Sequence, residues 1–434
     1  MKHLREIVVD ALVKVEKEGA YLQLVLKKDL EILESRDRGL ATEIATGTLK
    51  YQIAIDYIIN QVSSIKVSKM KPFIRNLMRI SVYQLRYLDK VPAHAAINEA
   101  VKLAKSRGFA GLSKFVNGVL RSIERSNIAL PAKNWSVYYS IPEWIIELWV
   151  SSYGSDIAKQ ICESTTARAE VVARVNTLKV SRDELVECLK LDGLATKPAA
   201  IFEDEYLYLE GAQSIADMPS FVSGFFTIQD ESAGIVAHVV APQDGELILD
   251  MCSAPGGKAT HIAQIADVNI VSADIYEHKV ELIKKNSARL GIGCIDAVCL
   301  DATVFVDEFC EKFDKVLIDV PCSGLGLLKR KPDIKYTRAA TDVSAINQLQ
   351  RTIAATAVRY LKPGGILIYS TCTLVDIENT DMVDYIADEL GMVRDDIAPF
   401  VPSAFQNYVD GCYANIFPFV ANTDGFFVAR FIKN

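Results

Sequence analysis

Two cysteines stand where a thiol could do chemistry. Cys322 follows Pro321 just behind the apolar run Lys315–Asp319, and Cys372 lies in Ser370-Thr371-Cys372-Thr373 at the end of the run Gly365–Ser370. A lone cysteine is most often a small buried hydrophobe. Two of them at the ends of successive strand-like runs, beside a cofactor-type loop, point instead to thiolate attack and a covalent intermediate. The loop is Asp250-Met251-Cys252-Ser253-Ala254-Pro255-Gly256-Gly257-Lys258, which closes the run Leu247–Asp250 and opens a helical stretch. Glycines there let backbone amides approach a ligand at a helix N-terminus, where doubly wound sheets take nucleotides. A nucleotide-like cofactor is implied. It is not a Walker loop, because Ala259 follows Lys258 where magnesium needs Ser or Thr, and no Gly-x-Gly-x-x-Gly is present. Asp274, Asp301 and Asp319 end the next three apolar runs, and Asp274 falls where a carboxylate takes ribose hydroxyls, roughly 20 residues after such a loop.

These residues need a frame to converge. Apolar runs at Leu247–Asp250, Ile270–Asp274, Ala297–Leu300, Lys315–Asp319 and Gly365–Ser370 alternate with helical stretches near 257–266, 276–290, 344–361 and 377–390. Continuous apolar strands between helices predict an α/β domain over 236–434, a Rossmann-like parallel sheet covered on both faces. Gly425–Phe431 is expected to close that sheet as a last antiparallel strand. Residues 1–130 are all-helical: Leu4, Ile7, Val8, Leu12 and Val15 open a helical period at 2–18 that returns through 37–61, 71–88, 92–108 and 112–126. Between them, 131–235 reads as a linker and a small α+β element. It holds two short helices around 143–165, a strand at Val171–Asn176, and a helix capped by Ser181.

Half of the 434 residues are hydrophobic, enough for two or three buried cores. All nine cysteines lie beyond position 160 without framework spacing, so reduced thiols are expected. The five histidines, His3, His94, His238, His261 and His278, are scattered, and no metal is expected. No apolar run approaches a membrane span, which places the chain in the cytoplasm. The net charge of -7 hides an asymmetry, since residues 51–130 carry 13 basic and only 4 acidic residues. That balance suits a phosphate-binding surface, as it also suits an ordinary solvated one.

At the loop and the two cysteine motifs the chain resembles the RNA cytosine-C5 methyltransferases. Asp250–Lys258 is similar to their cofactor motif, Asp319-Val320-Pro321-Cys322-Ser323-Gly324 to their proline-cysteine motif, and Ser370–Thr373 to their nucleophile motif, in the same order and spacing. Gln229-Asp230-Glu231-Ser232-Ala233, Arg330-Lys331-Pro332-Asp333 and Asp424-Gly425-Phe426-Phe427 add further matches. The helical front resembles NusB-type RNA-binding domains, especially at Pro92–Val101 and Phe115–Arg121, a combination similar to the bacterial branch acting on 16S ribosomal RNA. Ser253 and Leu325 depart from the family's usual alanine and threonine without touching a thiol or an acid.

The resemblance implies S-adenosylmethionine held by Cys252, Ser253, Ala254, Pro255, Gly256, Gly257 and Lys258, with Asp274 on the ribose, Asp301 on the adenine edge, and Asp319. It implies Cys372 as nucleophile at cytosine C6, Cys322 in product release, and Asp319 on the cytosine ring. DNA cytosine methyltransferases use the proline-cysteine thiol, which makes Cys322 the alternative nucleophile. A monomer acting on RNA, with no membrane and no metal, is expected. The rivals are a transfer RNA or other ribosomal target, a non-catalytic RNA-binding assembly factor, and a dinucleotide oxidoreductase.

Overall fold

The structure is a computed structural model that describes residues 4–212 and 214–434, the side chains of Ser35 and Arg36 apart. His3 lies outside the described residues. The chain divides into two compact units, 1–166 with 328–339, and 167–327 with 340–434.

The first unit is helical. Helices Leu4–Glu18, Ser35–Lys50, Gln52–Val62, Pro72–Tyr87, Ala93–Ser106 and Ser113–Arg125 match the expected periods, and Leu22–Leu30 is an additional helix. Ile7, Val8, Leu12, Ile44, Ile55, Ile59, Leu77 and Met78 interlock in its core. Pro72 occupies the first turn of its helix and Pro92 precedes the next, positions where a missing N–H costs little. The run Glu143–Thr166 breaks at Gly154, whose φ of 77° interrupts the helical backbone and leaves two helices as expected. The segment 328–339 returns from the rest of the chain to this unit, where Leu22 N–H donates to Asp333 (3.3 Å) and Tyr336 Oη donates to the Leu49 carbonyl (3.0 Å).

The second unit holds two sheets. The smaller is antiparallel, in the order β2 (Ala195–Pro198), β3 (Tyr206–Glu210), β1 (Val171–Val175), β4 (Phe226–Ile228). Its helix Arg182–Leu191 begins with a capping box, Ser181 and Glu184 each bonding the other's backbone N–H.

The larger sheet contains the expected strands: β5 (Leu247–Asp250), β6 (Asn269–Asp274), β7 (Ile295–Cys299), β8 (Phe313–Asp319) and β9 (Leu361–Thr371), with parallel neighbours in the order β9-β8-β5-β6-β7. The expected closing strand, β13 (Phe426–Ile432), pairs antiparallel with β9. It does not close the sheet. β10 (Val393–Arg394) pairs with β13, and β12 (Tyr413–Ile416) and β11 (Val409–Asp410) extend the sheet beyond it. Strand order reverses between β5 and β8, which opens a crevice at their carboxyl ends.

Candidate active site

The two thiols meet at that crevice. Cys322 leaves β8 through Val320 and Pro321, Cys372 follows the last residue of β9, and their Sγ atoms lie 3.1 Å apart. The loops that carry them are joined directly. Ser323 Oγ and Thr373 Oγ1 lie 2.7 Å apart, and Gly326 N–H donates to the Cys372 carbonyl at 3.0 Å. A Cβ on Gly326 would stand 2.1 Å from the Gly425 carbonyl oxygen, so only glycine allows this approach. The neighbouring Cys372 sulfur, then burial, pushes the Cys322 thiol well up, which favours its protonated form.

Asp319 ends β8 beside them. Ser370 Oγ donates to its Oδ1 (2.8 Å) and Lys258 Nζ to its Oδ2 (2.5 Å), which ties the cofactor-type loop to the proline-cysteine strand. Lys258, which opens the helix after the loop, pairs its ammonium with Asp319 and lies 5.0 Å from the Phe426 ring centroid. Neither oxygen of Asp319 is saturated by this, because a carboxylate offers about four lone-pair sites.

The loop from Asp250 to Lys258 turns through a cis Ala254–Pro255 bond, with Gly256 at φ 92°, into the helix Gly257–Ile265. Ser253 N–H donates to the Ala273 carbonyl (2.8 Å), fixing the loop to β6, and Asn286 holds the Pro255 carbonyl (2.9 Å). Asp250 is buried, both its carboxylate oxygens lack a hydrogen-bond partner, and burial raises its pKa to about 7. A buried acid with unmet acceptors next to a glycine cradle fits a cationic ligand, as the ammonium and sulfonium of S-adenosylmethionine would be. The sequence reading named Asp250 only as part of the motif.

Asp274 is buried at the end of β6, accepts from Tyr276 N–H (3.2 Å) and faces Lys279 Nζ at 3.6 Å. Asp301 lies two residues past the end of β7, and one of its oxygens accepts from both the N–H (2.9 Å) and the hydroxyl (2.7 Å) of Thr303. Those two bonds hold its carboxyl below the usual range.

Behind the loop, Arg174 is fully buried and donates to the Gly257 carbonyl (2.7 Å) and Thr260 Oγ1 (3.0 Å) as well as to Gln229, linking the small sheet to the cofactor helix. The histidines are less scattered than the sequence suggested. Helices Glu231–Val240 and Gly257–Ile265 pack together, and His238 and His261 Nε2 both reach Glu205 Oε2, at 3.1 and 3.0 Å. Burial, then Arg174, lowers His261 to about 3, so it is neutral. Burial opposes the charge on Glu205, but the histidine hydrogen bonds outweigh it and hold that carboxyl well below the usual range. Among the described residues this is the one three-ligand group of metal type. Arg174 borders the same cavity; burial disfavours its charge, which Tyr206 and then Glu205 support, and its hydrogen bonds to Gly257 and Thr260 brace the helix Gly257–Ile265 from below.

The basic front is partly spent on its own fold. Arg79 is buried against Asp56 (2.6 Å) and Glu16 (3.3 Å), Arg75 pairs with Glu16, and Arg107 binds Glu6 (2.6 Å) and Asp10 (2.9 Å). Arg75 and Arg79 are therefore structural. Lys66, Lys69 and Lys71 are exposed. No helix among the described residues is long and apolar enough to cross a membrane.

Comparison with known proteins follows the same division. Residues 237–432 match the family described as 16S rRNA methyltransferase RsmB/F, residues 2–125 the NusB family, and residues 141–216 the RsmF/B-like ferredoxin-like domain. The probable ribosomal RNA small subunit methyltransferase B of Bacillus subtilis is 37% identical over 99% of this chain and 98% of its own length. The ribosomal RNA small subunit methyltransferase B of Shewanella oneidensis is 30% identical over 99% of both. The crystal structure of PH0851 superposes with a TM-score of 0.80 at 23% identity, covering 100% of this chain and 99% of that one. A methyltransferase homolog of Pyrococcus horikoshii superposes with a TM-score of 0.58 at 27% identity, over 70% of this chain and 100% of that one. With relatives this similar along nearly its whole length, the chain belongs to the RsmB/F family of methyltransferases and carries that family's NusB-type helical domain in front of its catalytic domain.

Proposed function

We propose that this protein transfers a methyl group from S-adenosylmethionine to C5 of a cytosine in 16S ribosomal RNA, through a covalent adduct between Cys372 and C6. The coarser part, a methyltransferase acting on small-subunit ribosomal RNA, rests on the relatives' names and the NusB-family match. The finer part rests on one observation: two thiols 3.1 Å apart beside an anchored carboxylate and the cofactor-type loop.

When bound, S-adenosylmethionine supplies an electrophilic methyl group; the loop Cys252–Lys258, Asp250, Asp274 and Asp301 would hold it. Cytosine C5 is a weak nucleophile. Addition of the Cys372 thiolate to C6 moves the ring electrons to C5, which then takes the methyl. The Cys322 thiol, 3.1 Å from Cys372 Sγ and pushed up in pKa, would stabilise the attacking thiolate by lending it its S–H. Asp319, steadied by Lys258 and Ser370, offers its remaining lone pairs to the cytosine ring edge as charge develops there. Transfer of the C5 proton to water and expulsion of the Cys372 thiolate then restore the aromatic ring, a stage assigned to Cys322, whose S–H stabilises the departing thiolate. The base must leave its stack to reach the thiols, so unpaired RNA is the natural target.

Two variants test the reading. Cys372→Ala should abolish methyl transfer and every denaturation-resistant protein–RNA complex. Cys322→Ala should still form the adduct but release it slowly, so the complex accumulates on a denaturing gel. Accumulation with Cys372→Ala and not with Cys322→Ala would reverse the two roles. Methyl transfer unaffected by either would rule out covalent catalysis, and loss of no 5-methylcytosine from 16S RNA in cells lacking the gene would rule out the target.

A further inference from the structure

The two thiol loops leave different strands, yet their sulfurs touch, and something must fix that spacing. Immediately after the Cys372 loop the chain makes a single turn, Asp376–Glu378, and Glu378 and Asn379 are both fully buried there. Glu378 faces the proline-cysteine loop. Its Oε2 accepts from Ser323 N–H, the amide next to Cys322, at 2.8 Å, and from Gln350 Nε2 at 2.9 Å. Gln350 is fully buried and donates also to the Pro321 carbonyl at 3.0 Å, so the peptides on both sides of Cys322 are held. Asn379 faces the other loop. Its Oδ1 accepts from Thr371 Oγ1 (2.7 Å) and its Nδ2 donates to the Thr373 carbonyl (3.1 Å), so the residues on both sides of Cys372 are held.

We infer that Glu378 and Asn379 are positioning residues that clamp the Cys322 loop and the Cys372 loop respectively to one rigid point of backbone, and thereby set the distance between the two thiols. Being neighbours in the chain, they share that point, so neither loop can shift against the other without breaking a buried hydrogen bond. Such a bond is costly to break in a site closed to water. The Tyr369 hydroxyl donates to the Glu378 carbonyl (2.6 Å) and Asn347 Nδ2 to the Ile377 carbonyl (2.5 Å), which anchors the turn itself. The Glu378 carboxylate has a second effect. With Cys372, Asp319 and Tyr369, it is one of the titratable groups around Cys322, and its charge adds to the effects of Cys372 and burial that keep that thiol protonated. Lys258 is paired with Asp319, one of these groups.

This inference deepens the proposed covalent reaction, and it rests on the thiol roles assigned there only for its second readout. The first readout needs no reaction. A bis-alkylating bimane that fluoresces after bridging two neighbouring thiols should join Cys322 to Cys372 in the wild-type protein, the bridged peptides being identified by mass spectrometry. Glu378→Ala and Asn379→Ala should each cut the bridging rate at least about tenfold, while Glu378→Gln, which keeps one acceptor oxygen for Ser323 and Gln350, should recover most of it. Thermal melting and S-adenosylmethionine affinity, measured on the same samples, separate local misplacement from unfolding. Unchanged bridging in folded Glu378→Ala and Asn379→Ala overturns the inference whatever methyl transfer does. In the second readout, Glu378→Ala should accumulate the trapped RNA complex as Cys322→Ala does, with KM for RNA little changed and kcat reduced. Asn379→Ala should form little adduct, as Cys372→Ala does. If Cys322→Ala traps and folded Glu378→Ala does not, the clamp fails while the covalent reading stands. If Cys322→Ala fails to trap, the covalent reading fails and the bimane result alone decides the clamp.

Discussion

Lys335→Met should destabilise the helical unit more at pH 9 than at pH 6.5. Lys335 lies on the short helix Ile334–Thr337, is 3% exposed, and donates from Nζ to the Lys50 and Ser140 carbonyls, both at 2.7 Å. Burial, reinforced by the Lys50 charge, lowers its pKa from the ordinary 10.5 to about 7. The unfolded chain therefore binds more protons than the folded one between about pH 7 and 10.5, and stability rises with pH through that window and is flat below it. The slope contributed is at most about 1.4 kcal/mol per pH unit. At pH 9 the neutral amine still donates two hydrogen bonds, and methionine removes both, leaving two buried carbonyls at about 1–3 kcal/mol each. At pH 6.5 the same substitution also removes a buried positive charge, which offsets much of that loss. Lys50, itself lowered to about 8, is present in both proteins, so their difference reports Lys335 together with its interaction with Lys50. Urea unfolding followed by tryptophan fluorescence reads this unit selectively, because Trp135, Trp144 and Trp149 all belong to it. Parallel shifts of the two proteins between pH 6.5 and 9.5, or a variant as stable as wild type at pH 9, would refute the reasoning.

Other expectations concern the site and its RNA. Asp274→Ala should weaken S-adenosylmethionine binding by about 1–3 kcal/mol through loss of charge-assisted hydrogen bonds, and unchanged affinity by calorimetry would remove Asp274 from the cofactor site. Replacing Lys66, Lys69 and Lys71 by Gln should make the slope of log affinity for RNA against log salt shallower by about 2–3, and an identical slope would show that these lysines are only a solvated face. Gly326→Ala should cut methyl transfer at least roughly tenfold while leaving cofactor binding intact, because its Cβ would stand 2.1 Å from the Gly425 carbonyl oxygen and part the two thiol loops. Wild-type turnover in a folded Gly326→Ala protein would contradict that contact.

The strands of the larger sheet were legible because they are covered on both faces, which writes them as continuous apolar runs ending in polar ligand-type residues. Asp250, Asp274 and Asp319 end their strands as read, and Cys372 follows β9 directly. Helix Leu22–Leu30 escaped because only Leu22 and Leu26 are buried in it while Leu24 is 69% exposed, so its apolar period is faint. Strands β11 and β12 escaped because two and four residues carry no period.

What the sequence determined by itself is local: the periods that make helices and buried strands, the glycine turn after β5, and the motifs that place two thiols and three acids at strand ends. Tertiary structure decided the partnerships. It drew Arg75 and Arg79 into ion pairs within the helical fold and took residues 328–339 into the same unit. It also gathered Glu205, His238 and His261 under the cofactor helix and set Glu378 and Asn379 beneath the two thiols. An isolated charge, histidine or amide has no periodicity that names its partner. Only burial, which makes an unpaired polar group costly, selects which distant residue must meet it.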